Sequence, residues 1–217
     1  MVRSKFKRVS LMIAQSIMIV AFMLITFFGI LCFVFNICYM KTHVIGYSMY
    51  PTLNAEVQTA TERGDEVYIN KFRELKVGDI VSANVEWWSS GPIIKRLVAV
   101  GGDKLQVEET SASFVLKNNG EEVYTVQKTA NSVAYYNRFV ENMPNFGETG
   151  TTDEGEKYVI IQEDKFFLMS DNWAEAMVDC TTYGGIEREN IIGGVDIILK
   201  QNENKIHLLG KMLKLVF

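Results

Sequence analysis

Three cysteines and two histidines are all that 217 residues hold of the side chains that most often bind metals or carry thiol chemistry. Cys32 and Cys38 lie inside a long apolar run, so Cys180 stands alone in the rest of the chain and no disulfide framework can be drawn. With no basic neighbour in sequence to lower its pKa, Cys180 reads as a buried, inert thiol. His43 and His207 are far apart, and neither CxxC nor HxxxH spacing occurs, so no metal and no cofactor are expected. Net charge is small as well. The net value is −4, and no Lys/Arg-rich stretch interleaved with aromatics is present, which argues against a nucleic-acid partner. Internal repeats and low-complexity linkers are also missing.

From Leu11 to Tyr39 charge is lacking altogether, and only Gln15, Ser16, Thr26 and Asn36 are clearly polar. A helix of that length exceeds the roughly 20 residues needed to cross a bilayer core. MVRSKFKR precedes it, whereas only Lys41 and His43 follow closely. Such a charge bias keeps the N-terminal flank in the cytoplasm and exports the remainder. A cleavable signal peptide shares the basic start, but its apolar core is about 7 to 15 residues, roughly half of this run. The expected organisation is a cytoplasmic basic segment over 1–9, an uncleaved anchor over 10–40 and an extracytoplasmic domain over 41–217. The lipid bilayer is thereby one expected partner.

Beyond the anchor, what is present is β-forming sequence. Segments 66–72, 79–88, 92–100, 104–109, 113–118, 121–128, 157–162, 165–170 and 195–200 are rich in Val, Ile, Tyr and Phe. Gly-Asp, Ser-Ser-Gly, Gly-Gly-Asp and Asn-Asn-Gly turn signals separate many of them. The pattern predicts an all-β, mainly antiparallel exported domain, a sandwich or partly closed barrel. The polar stretch 129–156 reads as a peripheral loop or as part of a smaller β subdomain over 104–164. The tail KIHLLGKMLKLVF is too short to span a bilayer, and suits a membrane-surface contact or an element packed on the core.

Two stretches suggest chemistry. VIGYSMYPTL, residues 44–53, sets Ser48 between a glycine two residues before it and a proline three after it. Ser, Gly and Pro make turns for conformational reasons alone, so this stretch by itself is compatible with a plain turn. As a nucleophile Ser48 needs a base. Neither histidine is well placed, and a lysine serves only if burial lowers its pKa. Lys95 lies in PIIKRLVAV, where Ile93, Lys95 and Leu97 share one face by the two-residue strand period. A strand lysine can also snorkel to water, so periodicity alone leaves both readings open.

The pieces taken in order resemble the type I signal peptidases. GYSMYPTL resembles the family's G-x-S-M-x-P-T-L box, VGDIV its G-D-I-V box, and IIKRLVAVGGD its K-R-x-x-G-x-P-G-D box. GDEVYINKF and SDN follow the family order too, and the likeness runs from the anchor to about Gly194. It implies a signal-peptidase-like β fold and a membrane-bound serine endopeptidase that cleaves signal peptides from exported precursors after small residues. Ser48 would be the nucleophile and Lys95 the general base. Gly46, Met49 and Pro51 would shape the nucleophile turn and oxyanion site, and Asp171, Asn172 and Asp179 would support it. At most roughly 3.3 to 3.6 Å per residue from Met40 keeps Ser48 close to the bilayer, with the site facing it. A lysine base, a single anchor and Gly46, where some members carry a serine hydroxyl, point to the Gram-positive type. That places the protein in a bacterial cell membrane.

The chain departs from the family at two places. The lysine box has Ala99 and Gly101 where the family has glycine and proline. The last box, G-D-N-x-x-x-S-x-D-S-R, becomes SDNWAEAMVDCTTYGG. Aligned from its start, the lysine-orienting serine falls on Ala176 and the aspartate on Val178. Aligned on Asp179, the serine falls on Met177 and the arginine on Thr181. Thr181 or Thr182 could supply a substitute hydroxyl. The altered box also suits a second reading, a signal-peptidase-like chaperone or docking protein for pilus assembly, or a peptidase for a narrow set such as pilin precursors. A cytosolic self-cleaving repressor with the same residue pair is disfavoured by the anchor.

Overall fold

The computed structural model describes residues 2–216 except 57, 58, 60, 176, 177 and 204, and within the helices the side chains of 2–10, 205, 213 and 216 are also outside the description. The basic side chains expected over 1–9 therefore lie outside the described residues. Two compact units form, Met1–Met40 and Lys41–Phe217.

The first unit is mostly one helix, α1 (Val2–Cys38). Its apolar stretch Leu11–Cys38 has 28 residues, none of it buried. At 1.5 Å per residue this is about 42 Å, more than a hydrocarbon core of roughly 30 Å. The helix is long and apolar enough to cross a membrane, and it fits a single-pass anchor.

The second unit begins with β1 (Tyr39–Ile45), whose start belongs to the first unit and which no sequence signal separated from the apolar run. There follow β2 (Arg63–Asn70), β3 (Ile80–Ala83), β4 (Ile93–Val100), β5 (Lys104–Glu109), β6 (Ser113–Asn118), β7 (Glu121–Gln127), helix α2 (Ala130–Asn142), β8 (Gly147–Thr151), β9 (Lys157–Ile161) and β10 (Lys165–Met169). The short helix α3 (Cys180–Tyr183), β11 (Ile186–Glu187), β12 (Ile191–Leu199) and helix α4 (Lys205–Val216) complete it. Seven strands make one sheet in the order β1-β2-β12-β3-β4-β10-β11, and five make the other, β7-β6-β5-β9-β8. The pairing is antiparallel, as the turn-punctuated sequence predicts.

One continuous core joins the sheets: Val81, Leu97 and Phe167 from the larger meet Leu105, Phe114, Leu116 and Val159 from the smaller. The five-stranded sheet spans residues from Lys104 to Ile161. Between β7 and β8, where the sequence reading expects an irregular loop or more β structure, stands α2. Thr129 caps it in a reciprocal capping box with Ser132. Tyr135 and Phe139, one helical turn apart, are buried with Met143 and Phe146 in the core. Few apolar letters among many polar ones hide this helix from a strand-oriented reading.

Candidate active site

The serine-bearing stretch leaves β1 through Gly46, whose φ of +88° lies in the left-handed region. A side chain there would be strained, which is why glycine, and no hydroxyl-bearing residue, occupies the position. The turn is then closed by backbone bonds: Tyr50 N–H donates to Tyr47 O at 3.0 Å and Leu53 N–H to Met49 O at 2.8 Å. Met49 and Leu53 point into the protein, Ser48 is half-buried, and Pro51 is exposed.

Asn54 locks this turn. Its side-chain amide donates to Val44 O at 3.2 Å and Gly46 O at 2.9 Å, and its Oδ1 accepts from the Asp65 N–H at 2.8 Å. Its own N–H donates to Asp65 Oδ2 at 2.9 Å. Asn54 was not among the expected site residues. The one signal for it is that asparagine tolerates the positive φ of 60° that the chain adopts there.

Lys95 stands in β4 opposite Val81 of β3, and is 6% exposed. The burial of Ile93, Lys95 and Leu97 follows the two-residue period. Burial pushes the amine below the ordinary lysine range, and the facing Asp179, then Cys180 and Asp171, oppose that shift. Among the described residues no hydrogen bond is made by the Lys95 amine, and none joins it to the Ser48 hydroxyl.

What ties the two stretches together is the segment after β10. Asn172 N–H donates to Ser48 O at 3.0 Å, and its side-chain amide to Tyr47 O at 3.0 Å. Asp171 accepts from the Thr52 hydroxyl at 2.6 Å and takes a two-pronged hydrogen bond from Arg96, the residue after Lys95, with Nε at 2.7 Å. Arg96 also donates to Gly78 O at 2.6 Å, so the G-D-I-V stretch joins the same frame. Of the expected site residues, Ser48 and Asn172 are thus joined directly, Asp171 is tied to the same turn through Thr52, and Lys95 is joined through its neighbour.

Asp179 is wholly buried at the N-cap of α3. Its Oδ1 accepts from Thr181 N–H at 3.0 Å and the Thr181 hydroxyl at 2.6 Å. Its Oδ2 accepts from the Tyr135 hydroxyl at 2.6 Å, Ser170 N–H at 3.1 Å and the Ser170 hydroxyl at 2.8 Å. These donors are all neutral, and Thr181 stands where the family's arginine aligns. Thr181 is spent on Asp179 and Thr182 is exposed, while Ala176 and Met177, onto which the family's serine aligns, lie outside the described residues. Ser170 follows Met169, the last residue of β10, which pairs with Arg96, the neighbour of Lys95. Ser170 O accepts from the Tyr124 hydroxyl at 3.1 Å, and Trp173 Nε1 donates to that hydroxyl at 2.9 Å. Trp173 in turn stacks on Tyr135 at 4.7 Å and on Phe114 at 5.6 Å, which buttresses the segment from the smaller sheet and α2.

One other departure has a plain cause. At Gly101 an added Cβ would approach Asp164 N to 2.8 Å and Glu163 Cα to 2.9 Å, so no side chain fits. Cys180 is fully buried, and burial pushes its thiol far above the ordinary range, as expected of an inert cysteine. Among the described residues no group of His, Cys, Asp and Glu is arranged to hold a metal ion.

The chain thus consists of one helix apolar enough to cross a membrane and a two-sheet β domain in which a buried strand lysine is tied to a serine-bearing turn. The family model described as signal peptidase, peptidase S26, matches residues 13–200, and the chain belongs to that family. Cleavage of signal peptides is the family's general activity, with exported precursors as substrates. Comparison with curated proteins finds no match.

Proposed function

We propose that the protein is a membrane-bound serine endopeptidase that removes N-terminal signal peptides from exported precursors after small residues, with Ser48 as nucleophile and Lys95 as general base. The observation that carries this reading is a lysine 6% exposed, its amine held below the ordinary range, in a strand fastened through Arg96 and Asp171 to the serine turn. Keeping an amine in such a place works against folding and is useful for proton transfer.

In the reaction the neutral Lys95 amine takes the Ser48 proton as the oxygen attacks the scissile carbonyl. The Ser48 N–H meets the developing oxyanion, and Gly46 adds no hydroxyl. Collapse of the tetrahedral intermediate breaks the peptide C–N bond, and Lys95 returns its proton to the leaving amine. Water, activated by the same amine, then releases the signal peptide from the serine ester. The first step needs the amine within hydrogen-bond reach of the hydroxyl, a contact that is commonly long without substrate. Ser170 keeps lone pairs free while it donates to Asp179, so its oxygen is the positioning partner for the amine in place of the family's serine.

The setting is a bacterial cell membrane of the Gram-positive type, with the N-terminus cytoplasmic and the β domain outside. The lack of a hydrogen bond between Ser48 and Lys95 among the described residues, together with the altered last box, favours one second reading, a docking protein or chaperone for pilus assembly. Ser48→Ala and Lys95→Ala separate the two. Each, expressed in membranes with a precursor such as a pilin, should abolish processing while the β domain still folds. Normal processing by both variants would overturn the dyad. Pilus assembly that survives in both, with a wild type that cleaves nothing, would establish the docking reading.

A further inference from the structure

Helix α4 has no part in the chemistry above. It sits against β12 through Lys211, whose ammonium donates to Ile198 O at 2.6 Å and pairs with Glu203. Leu208 and Met212, i and i+4, lie on the same half-buried side. The opposite side is apolar and open: Ile206 is 78% and Leu209 58% exposed, three residues apart on one face. Lys205, His207, Lys211 and Lys214 give the helix four basic or titratable residues and no acid, in a protein of net charge −4. Where α4 begins is also informative. Lys200, at the end of β12, donates to Thr52 O at 2.8 Å and Asp65 Oδ2 at 2.9 Å, so the helix starts five residues beyond an anchor point on the serine turn.

Exposed isoleucine and leucine beside lysine, without acids, match one surroundings best. At the headgroup boundary of an anionic bilayer the apolar face enters the acyl region while the ammonium groups stay among phosphates. A second copy of α4 would set like charges against each other. The chain's own membrane-length helix raises the local concentration of lipid surface, so a weak contact suffices.

We propose that α4 is an in-plane membrane helix, with Ile206 and Leu209 inserted into an anionic leaflet and Lys214 among its headgroups, holding the Ser48 end of the β domain at the lipid. The contact stands apart from the peptidase reading, and its test reads no activity. The full chain is placed in nanodiscs of phosphatidylcholine alone or mixed equally with phosphatidylglycerol, and amide hydrogen exchange is followed over residues 205–216. Exchange should slow by about fivefold or more in the anionic discs, the scale of one lysine near such a surface, and the slowing should weaken with added salt. The double variant Ile206→Asp, Leu209→Asp should lose it, with exchange in β12 unchanged as the control for folding. Equal exchange in both lipids, or slowing that persists in the double variant, overturns the proposal. Slowing confined to discs that hold two copies does so as well, and assigns the face to a dimer.

Discussion

At the scale of single residues, the proposed base Lys95 depends on how far burial lowers its amine and on what opposes that shift. Its desolvation lowers the amine, and Asp179 is the first of the charges that raise it again. The five donors on Asp179 spread its negative charge, which limits that opposing effect. The pH dependence follows with its sign. The base works as the free amine, so kcat/KM should rise as pH passes through the Lys95 value, with a midpoint below the ordinary 10.5. Tyr135→Phe removes one donor and leaves Asp179 a stronger attraction for the protonated amine. The midpoint should then move up, with activity lost near neutral pH and recovered in alkali. A purely structural role for Tyr135 would lower the rate equally at every pH, so an unmoved midpoint would dismiss the linkage. The Tyr135 phenol itself stays protonated throughout, because burial and then Asp179 raise it well above its usual range.

At the scale of elements, the nucleophile turn depends on β1, β2 and the end of β12 through Asn54 and Asp65. Asn54→Ala would leave the Val44 and Gly46 carbonyls and the Asp65 N–H without their partner, and put an alanine at a φ of 60°. A loss of about 2–3 kcal/mol is expected, from buried groups left unsatisfied, read as a lower thermal midpoint in detergent. Activity should fall further than the lost folded fraction explains, because Gly46 is no longer held. A variant with unchanged midpoint and rate would remove Asn54 from the frame. The limits of what sequence conveys lie here too. Strands β5 and β6 stand where local composition placed them, and Lys95 was legible because the two-residue period is a local property. Asn54 and Tyr135 were not. The tyrosine meets Asp179 at 44 residues' separation, from a helix whose large buried side chains are only Tyr135 and Phe139. The surroundings of Asp179 were hidden for the same reason: Tyr135 comes from another element, and Ser170, though close to Asp179 in sequence, follows directly on the pairing of β10 with β4.

At the scale of the whole molecule, one apolar helix and one β domain divide the work of locating the chain and of shaping its chemistry. In the proposed reading, a precursor still held by its own apolar segment and an enzyme held by α1 meet in two dimensions, where tethering replaces tight binding. Low affinity for the segment being cut is then no handicap, and a shallow site suffices. The arrangement works only if the β domain is on the side to which precursors are exported, and in the proposed orientation that side is set by charge. Arg3, Lys5, Lys7 and Arg8 precede the span, and Lys41 and His43 come after it. Replacing the four leading residues by asparagine removes the bias that retains the N-terminus. In intact cells a membrane-impermeant amine reagent should label the wild-type domain, where Lys71 and Lys76 are exposed. The fourfold variant should show a substantial fraction of chains that escape labelling until the membrane is opened, with processing lowered in proportion. A wild-type domain labelled only after the membrane is opened would reverse the orientation and, with it, the assignment of the exported face as the place of cleavage.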